Sequence, residues 1–213
     1  DHAEYDQANG RTILAEYETP RGLILAGDVV IAQSLESDPG STYDYYRDYP
    51  EGDYFGNITG FKSIQRGASA MESAQNDVLN GSSSLFFLDE LGNTLTGKET
   101  LGGNVSLTLD AELQKAAYEA LDATGSHGGA VVLEPQTGRI LAQASYPGWN
   151  PTSVSSNDPD TANAAWAELI DDPSNPGSDR TRSEWYPPGW TFKTLGAAAF
   201  IEGGHGDADT MVP

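Results

Sequence analysis

Period-two and period-3.6 patterns alternate along the chain, and they sharpen towards its second half. Leu23 to Ala26 and Val29 to Gln33 are apolar runs joined only by Gly27-Asp28, which predicts a tight hairpin. Arg11 to Tyr17 alternates as a strand would, and Thr19-Pro20-Arg21-Gly22 breaks it. Residues 36–60 are rich in Tyr, Asp, Gly and Pro and read as a long loop with short strand pieces, its tyrosines packed over a small core. A short helix follows Gly67 and ends near Leu79-Asn80-Gly81, with Gly81 just past its last turn. Ser84 to Leu88 reads as a short strand, and Asn93 to Gly103 is turn-rich.

From Asn104 the patterning becomes regular. Val105 to Leu109 alternates as a strand, and Asp110 is placed to cap the next helix. Leu113, Ala116, Ala117, Ala120 and Leu121 form one apolar stripe, which predicts the buried face of that helix, and Gly125 ends it. Gly129 to Leu133 and Ile140 to Ala144 are two strands joined by Pro135-Gln136-Thr137-Gly138. Thr161 to Ile170 predicts a helix with Ala162, Ala165, Trp166 and Leu169 inward. The shift near Asn104 divides the chain into residues 1–104 and 105–213.

Composition narrows the function. The 213 residues carry 32 acidic and 11 basic side chains, a net charge of −21. Such a chain repels nucleic acid and anionic lipid. With no cysteine, disulfide scaffolds and thiolate zinc sites are excluded. His2, His127 and His205 are far apart in polar or Gly-rich segments, so no metal site and no cofactor is expected. Asp1-His2-Ala3-Glu4 does not begin a signal peptide, and no stretch is long and apolar enough to span a membrane.

The candidate chemistry lies in Tyr186-Pro187-Pro188-Gly189-Trp190-Thr191-Phe192-Lys193, followed by an apolar run to Ile201. A rigid Pro-Pro-Gly turn opening a helix is a place where acyl-enzymes hold a nucleophile, with a lysine three residues later on the same face as general base. Position 190 is Trp, which carries no nucleophilic oxygen. Lys193 then has two readings: a base by position, or a cation resting on the Trp190 ring or pairing with a local carboxylate.

Four further stretches accompany that turn. They are Pro20-Arg21-Gly22-Leu23-Ile24; Gly67 to Glu72, with Ala70 where a second glycine belongs; Leu107-Thr108-Leu109-Asp110 with Leu113-Gln114; and Ala130 to Ala142 with Pro147 and Asn150-Pro151. As an ordered set they resemble the class B penicillin-binding proteins, nearest the actinobacterial elongation type. The resemblance implies an α+β fold: an elongated β-rich N-terminal pedestal over residues 1–104, of the family's dimerisation-like kind, and the first part of a transpeptidase-like α/β domain over 105–213. It implies cross-linking of peptidoglycan stem peptides through a Ser acyl-enzyme, acylation by β-lactams, and a cell-wall glycosyltransferase partner. It also implies a place at the extracytoplasmic face of the bacterial plasma membrane, with an anchor upstream of residue 1. Arg21 and Glu72 each sit in a pedestal motif, and an Arg–carboxylate contact between them is expected.

Two departures bear on activity. Trp190 stands where the family has its acylating Ser, and the family's Ser-x-Asn and Lys-Thr-Gly motifs do not follow Lys193. The expectation is therefore an inactive chain. Its alternatives are a non-catalytic pedestal module that binds the glycosyltransferase, or a β-lactam sensor or β-lactamase relative, which the pedestal motifs disfavour.

Overall fold

A computed structural model describes residue 14 and residues 16–83, 102–207 and 209–210. The strand expected over 84–88 lies outside these residues; of the one expected over 11–17, the described residues Leu14 and Glu16 are helical and Tyr17 is in a turn, so a strand is not formed there. The chain divides into two compact units, Asp1–Ser183 and Glu184–Pro213.

In the first unit, β1 (Ile24–Ala26) and β2 (Val29–Glu36) form the expected hairpin about Gly27-Asp28. β3 (Tyr45–Asp48) pairs antiparallel with the far end of β2. Then come α1 (Gly52–Thr59), the two-residue strands β4 (Lys62–Ser63) and β5 (Gly67–Ala68), and two short helical turns, α2 (Ala70–Ala74) and α3 (Asn76–Leu79). β6 (Val105–Leu107) returns to lie parallel to β1, giving a four-stranded sheet ordered β3-β2-β1-β6. α4 (Ala111–Asp122) follows, capped by Asp110, whose carboxylate accepts from the Leu113 amide at 3.0 Å. β7 (Gly128–Glu134) and β8 (Arg139–Tyr146) make a second hairpin. α5 (Pro159–Asp171) starts at the Asp158 cap and turns Ala162 fully inward, with Ala165, Trp166 and Leu169 half-buried beside it.

The core gathers Ile24, Ala26, Ile31 and Ala32 from the first sheet, Tyr49 and Phe55 around α1, Leu79 of α3, and Leu109 and Ala111 at the start of α4. Tyr49 is thus a core residue and half-buried Tyr54 packs against the same core, while Tyr43, Tyr45 and Tyr46 are half-buried.

Two expectations are corrected. Residues 36–60 are not all loop, because Gly52–Thr59 is helical. Its inward positions are Gly52, Phe55, Gly56 and Thr59, which have helical spacing but carry only one large apolar side chain. The small residues are required by what passes beside them. A Cβ on Gly56 would lie 2.0 Å from the Trp149 carbonyl oxygen, and one on Gly52 would lie 2.4 Å from the Asn150 side chain. The second correction concerns α4: Ala116 and Ala120 of the expected stripe are exposed, and the fully buried residues are Ala111 and Gln114.

Candidate functional site

Arg21 enters the first sheet just before β1, and its path is set by Gly22. A Cβ there would meet the Gly103 carbonyl oxygen at 2.0 Å, and the Gly22 amide donates to the Leu79 carbonyl at 2.8 Å. This close crossing delivers the Arg21 side chain to Glu72 on α2, 51 residues away. Arg21 Nε donates to Glu72 Oε2 at 2.7 Å, and its Nη2 donates to the Glu72 backbone carbonyl at 2.7 Å. The guanidinium therefore spans side chain and backbone of one residue rather than both carboxylate oxygens.

The other carboxylate oxygen belongs to a partner that sequence reasoning missed. Arg47 Nε of β3 donates to Glu72 Oε1 at 2.7 Å, and Tyr49 Oη donates to the same oxygen at 3.4 Å. Arg47 Nη1 continues to the Arg21 carbonyl at 3.3 Å and to Ser34 Oγ at 3.4 Å. Ser34 Oγ also accepts from the Arg21 amide at 3.1 Å. One carboxylate of α2 with no exposed surface thus holds two buried guanidinium groups, one from β3 and one from the segment just before β1. Burial, and next the Glu72 charge, push the Tyr49 hydroxyl well above its usual range, so it stays a neutral donor. The available signal for Arg47 was a lone arginine on a short strand between tyrosines, which does not by itself name a partner.

The Gly67-to-Glu72 stretch pays a conformational cost at Ala70. Its φ is +44°, in the left-handed region where a Cβ is disfavoured. The position where this chain departs from the glycine pattern is the one whose backbone asks for glycine, two residues before Glu72.

Gln114, the second residue of the Leu113-Gln114 pair, acts as a strand of one residue inside α4. Its Nε2 donates to the Tyr54 carbonyl at 2.9 Å and the Gln143 carbonyl at 3.0 Å, and its Oε1 accepts from the Gln143 amide at 2.8 Å. These bonds tie α1, α4 and β8 together beside the ring contacts of Tyr118 with Tyr54 and Tyr146, so a polar side chain occupies part of the buried face and an apolar stripe did not identify it. Nearby, Asn150 and Thr152 bond the Tyr49 backbone, and Trp149 Nε1 donates to Asn57 Oδ1 at 3.0 Å.

In the second unit, Gly189–Thr191 forms a 3-10 turn that leads directly into α6 (Phe192–Glu202). Trp190 lies on the turn and Lys193 in the first turn of α6, with Lys193 Nζ 3.5 Å from the centroid of the Trp190 ring. A cation over an indole face at this distance is a direct electrostatic contact with the ring quadrupole. No group of His, Asp or Glu able to hold a metal ion occurs among the described residues.

Residues 21–105 match the Penicillin binding protein A dimerisation domain. The chain is 37% identical over 210 residues to the peptidoglycan D,D-transpeptidase PbpA of Mycobacterium tuberculosis, covering 97% of this chain and 42% of that protein. It is 39% identical over 202 residues to the PbpA of Mycolicibacterium smegmatis, covering 93% and 41%. Its fold superposes on the imipenem acyl-enzyme complex of penicillin-binding protein A from M. tuberculosis with a TM-score of 0.87 at 36% identity, over 93% of this chain and 45% of that one. A D,D-transpeptidase domain from Eggerthella lenta matches with a TM-score of 0.68 at 34% identity, over 91% and 39%. The chain spans less than half the length of these relatives. With a pedestal motif pair joined at Glu72, a dimerisation-domain match and this shared fold, the chain belongs to the penicillin-binding protein family.

Proposed function

We propose that this chain supplies the pedestal and the first part of the transpeptidase domain of a peptidoglycan D,D-transpeptidase, and that as written it forms no acyl-enzyme. The observation that carries this reading is Trp190 at the head of α6 with the Lys193 ammonium over its ring. The position that would present a hydroxyl presents an indole, and the lysine that would take its proton is engaged with that indole. Removing a nucleophile from a coupled catalytic set costs about 10⁶ in rate in a serine protease, and binding by the remaining pocket does not recover it. In this reading residues 1–104 are the pedestal domain and 105–213 an incomplete transpeptidase domain. Stem peptides and β-lactams are the ligands of the whole protein, at the extracytoplasmic face of a bacterial plasma membrane.

Intact-mass spectrometry after incubation with a β-lactam tests it. No covalent adduct is expected. An adduct of antibiotic mass that survives denaturation overturns the reading, because another residue would then be the nucleophile. In a longer chain that carries the later motifs, Trp190→Ser should restore acylation with Lys193 as base.

A second reading is favoured by the Glu72 cluster, which is fully assembled although the nucleophile position is lost. Here the pedestal is a binding module for a cell-wall glycosyltransferase. Binding of such an enzyme by this chain, undiminished by substitution at Trp190 and Lys193 and lost with Glu72→Ala, is the expected result. Absence of binding by the folded chain removes this reading.

A further inference from the structure

The residues that match the dimerisation domain and those that follow them share one compact unit, which runs to Ser183. The seam between the two parts is narrow. A Cβ on Gly56 would meet the Trp149 carbonyl oxygen, and one on Gly148 would lie 2.2 Å from the Asp53 carbonyl oxygen. At both places backbone passes backbone with no side chain between them, so a shift on one side must move the other. Polar bonds close the same seam. Gln114 bonds to Tyr54, Trp149 bonds to Asn57, and Asn57 Nδ2 donates to the Pro176 carbonyl at 3.2 Å.

Tyr49 lies where this seam meets the Glu72 cluster. Its amide donates to Thr152 Oγ1 at 3.0 Å and its carbonyl accepts from Asn150 Nδ2 at 3.4 Å, both across the seam. Its hydroxyl, at the other end of the side chain, donates to Glu72 Oε1 and accepts from the Lys62 amide at 2.9 Å. Tyr49 is 1% exposed. One buried, rigid ring therefore separates the bonds of the cluster from the bonds of the seam.

We propose that Tyr49 is a latch through which the Glu72 cluster and the segment 148–152 open and close together. Release of the Tyr49 hydroxyl by the cluster frees the seam locally. Release of the Tyr49 backbone by the seam loosens the cluster by the same factor, because such coupling is reciprocal. The latch does not involve position 190, so its test and the β-lactam adduct test fail separately.

Native-state hydrogen exchange of the whole chain, read amide by amide, tests this. Tyr49→Phe keeps the ring and removes the hydroxyl. The amides of Tyr49, Gly148 and Thr152 should then exchange about tenfold faster, the effect of losing one to two hydrogen bonds. Amides of the β7–β8 pairing should change only as much as global stability does. From the other side, Thr152→Val should speed exchange at the Arg21 and Lys62 amides, which bond to Ser34 Oγ and Tyr49 Oη. This second arm carries the test if Tyr49→Phe does not fold. In the double variant the two accelerations should fall short of their product. Equal acceleration at every amide of the unit, or accelerations that multiply in full, overturns the proposal.

Discussion

Arg21 in the pedestal and Lys193 at the head of α6 are both cations set against one partner, in two regions that treat charge differently. Arg21 is 8% exposed and meets a fully buried carboxylate shared with Arg47 and Tyr49. Among the described residues Lys193 meets the face of the Trp190 ring, three positions away on its own segment. The first arrangement is interdependent: remove the central anion and two guanidinium groups are left without compensation in a low-dielectric interior. The second is local, and water can replace what is lost. A buried pair is weak evidence of net stabilisation, yet breaking one is costly, because the surviving charge cannot be rehydrated. The pedestal motifs therefore constrain one another across the chain, whereas the Trp190–Lys193 contact constrains one stretch of four residues.

The largest effect should come from Glu72→Ala. Leaving Arg21 and Arg47 buried and unpaired should cost about 3–5 kcal/mol, measured by urea unfolding, and bring the first unit close to unfolding. A loss below about 1 kcal/mol would show that the cluster is no more demanding than a surface pair. Gly56→Ala asks whether the same unit is as intolerant of volume as of charge. Its Cβ would be driven against the Trp149 carbonyl, and a loss of about 1–3 kcal/mol is expected despite alanine's better helix propensity. An unchanged or raised stability would mean that α1 and the 149–151 segment can separate freely.

Ala70→Gly reverses the sign. Relieving a left-handed residue should stabilise the chain by about 1 kcal/mol, less the entropy that glycine adds to the unfolded state, and Tm should rise. A fall in Tm would show that the Glu72 turn is not strained. The smallest effect belongs to the second region. Lys193→Met should change global stability by no more than about 0.5–1 kcal/mol while altering Trp190 fluorescence. A Glu72-sized loss from this substitution would erase the contrast between the two regions.

Elements stabilised by their own near neighbours were legible in the sequence. The β1–β2 hairpin, the Asp110 cap of α4, the β7–β8 hairpin and the inward face of α5 all rest on turns, caps or periodicity within a few residues. The face of α4 was misread because its buried positions are Ala111 and the amide Gln114, and a polar residue does not enter an apolar stripe. α1 was missed because its buried face is mostly glycine and threonine, selected for the closeness of residues 149–151.

The candidate site divides along the same line. The sequence by itself determined that position 190 has no nucleophilic oxygen, that Lys193 lies one helical turn on, and that the chain is strongly acidic and free of cysteine. These follow from side-chain chemistry and from a spacing of three residues. Only the tertiary structure decided that Glu72 serves two arginines, that Arg47, 25 residues away, is the second, and that Arg21 divides its donors between the carboxylate and the Glu72 backbone. The reason is geometric. A period records which face of an element turns inward, but a carboxylate's second oxygen is assigned by whichever donor the folded chain carries within about 3 Å of it.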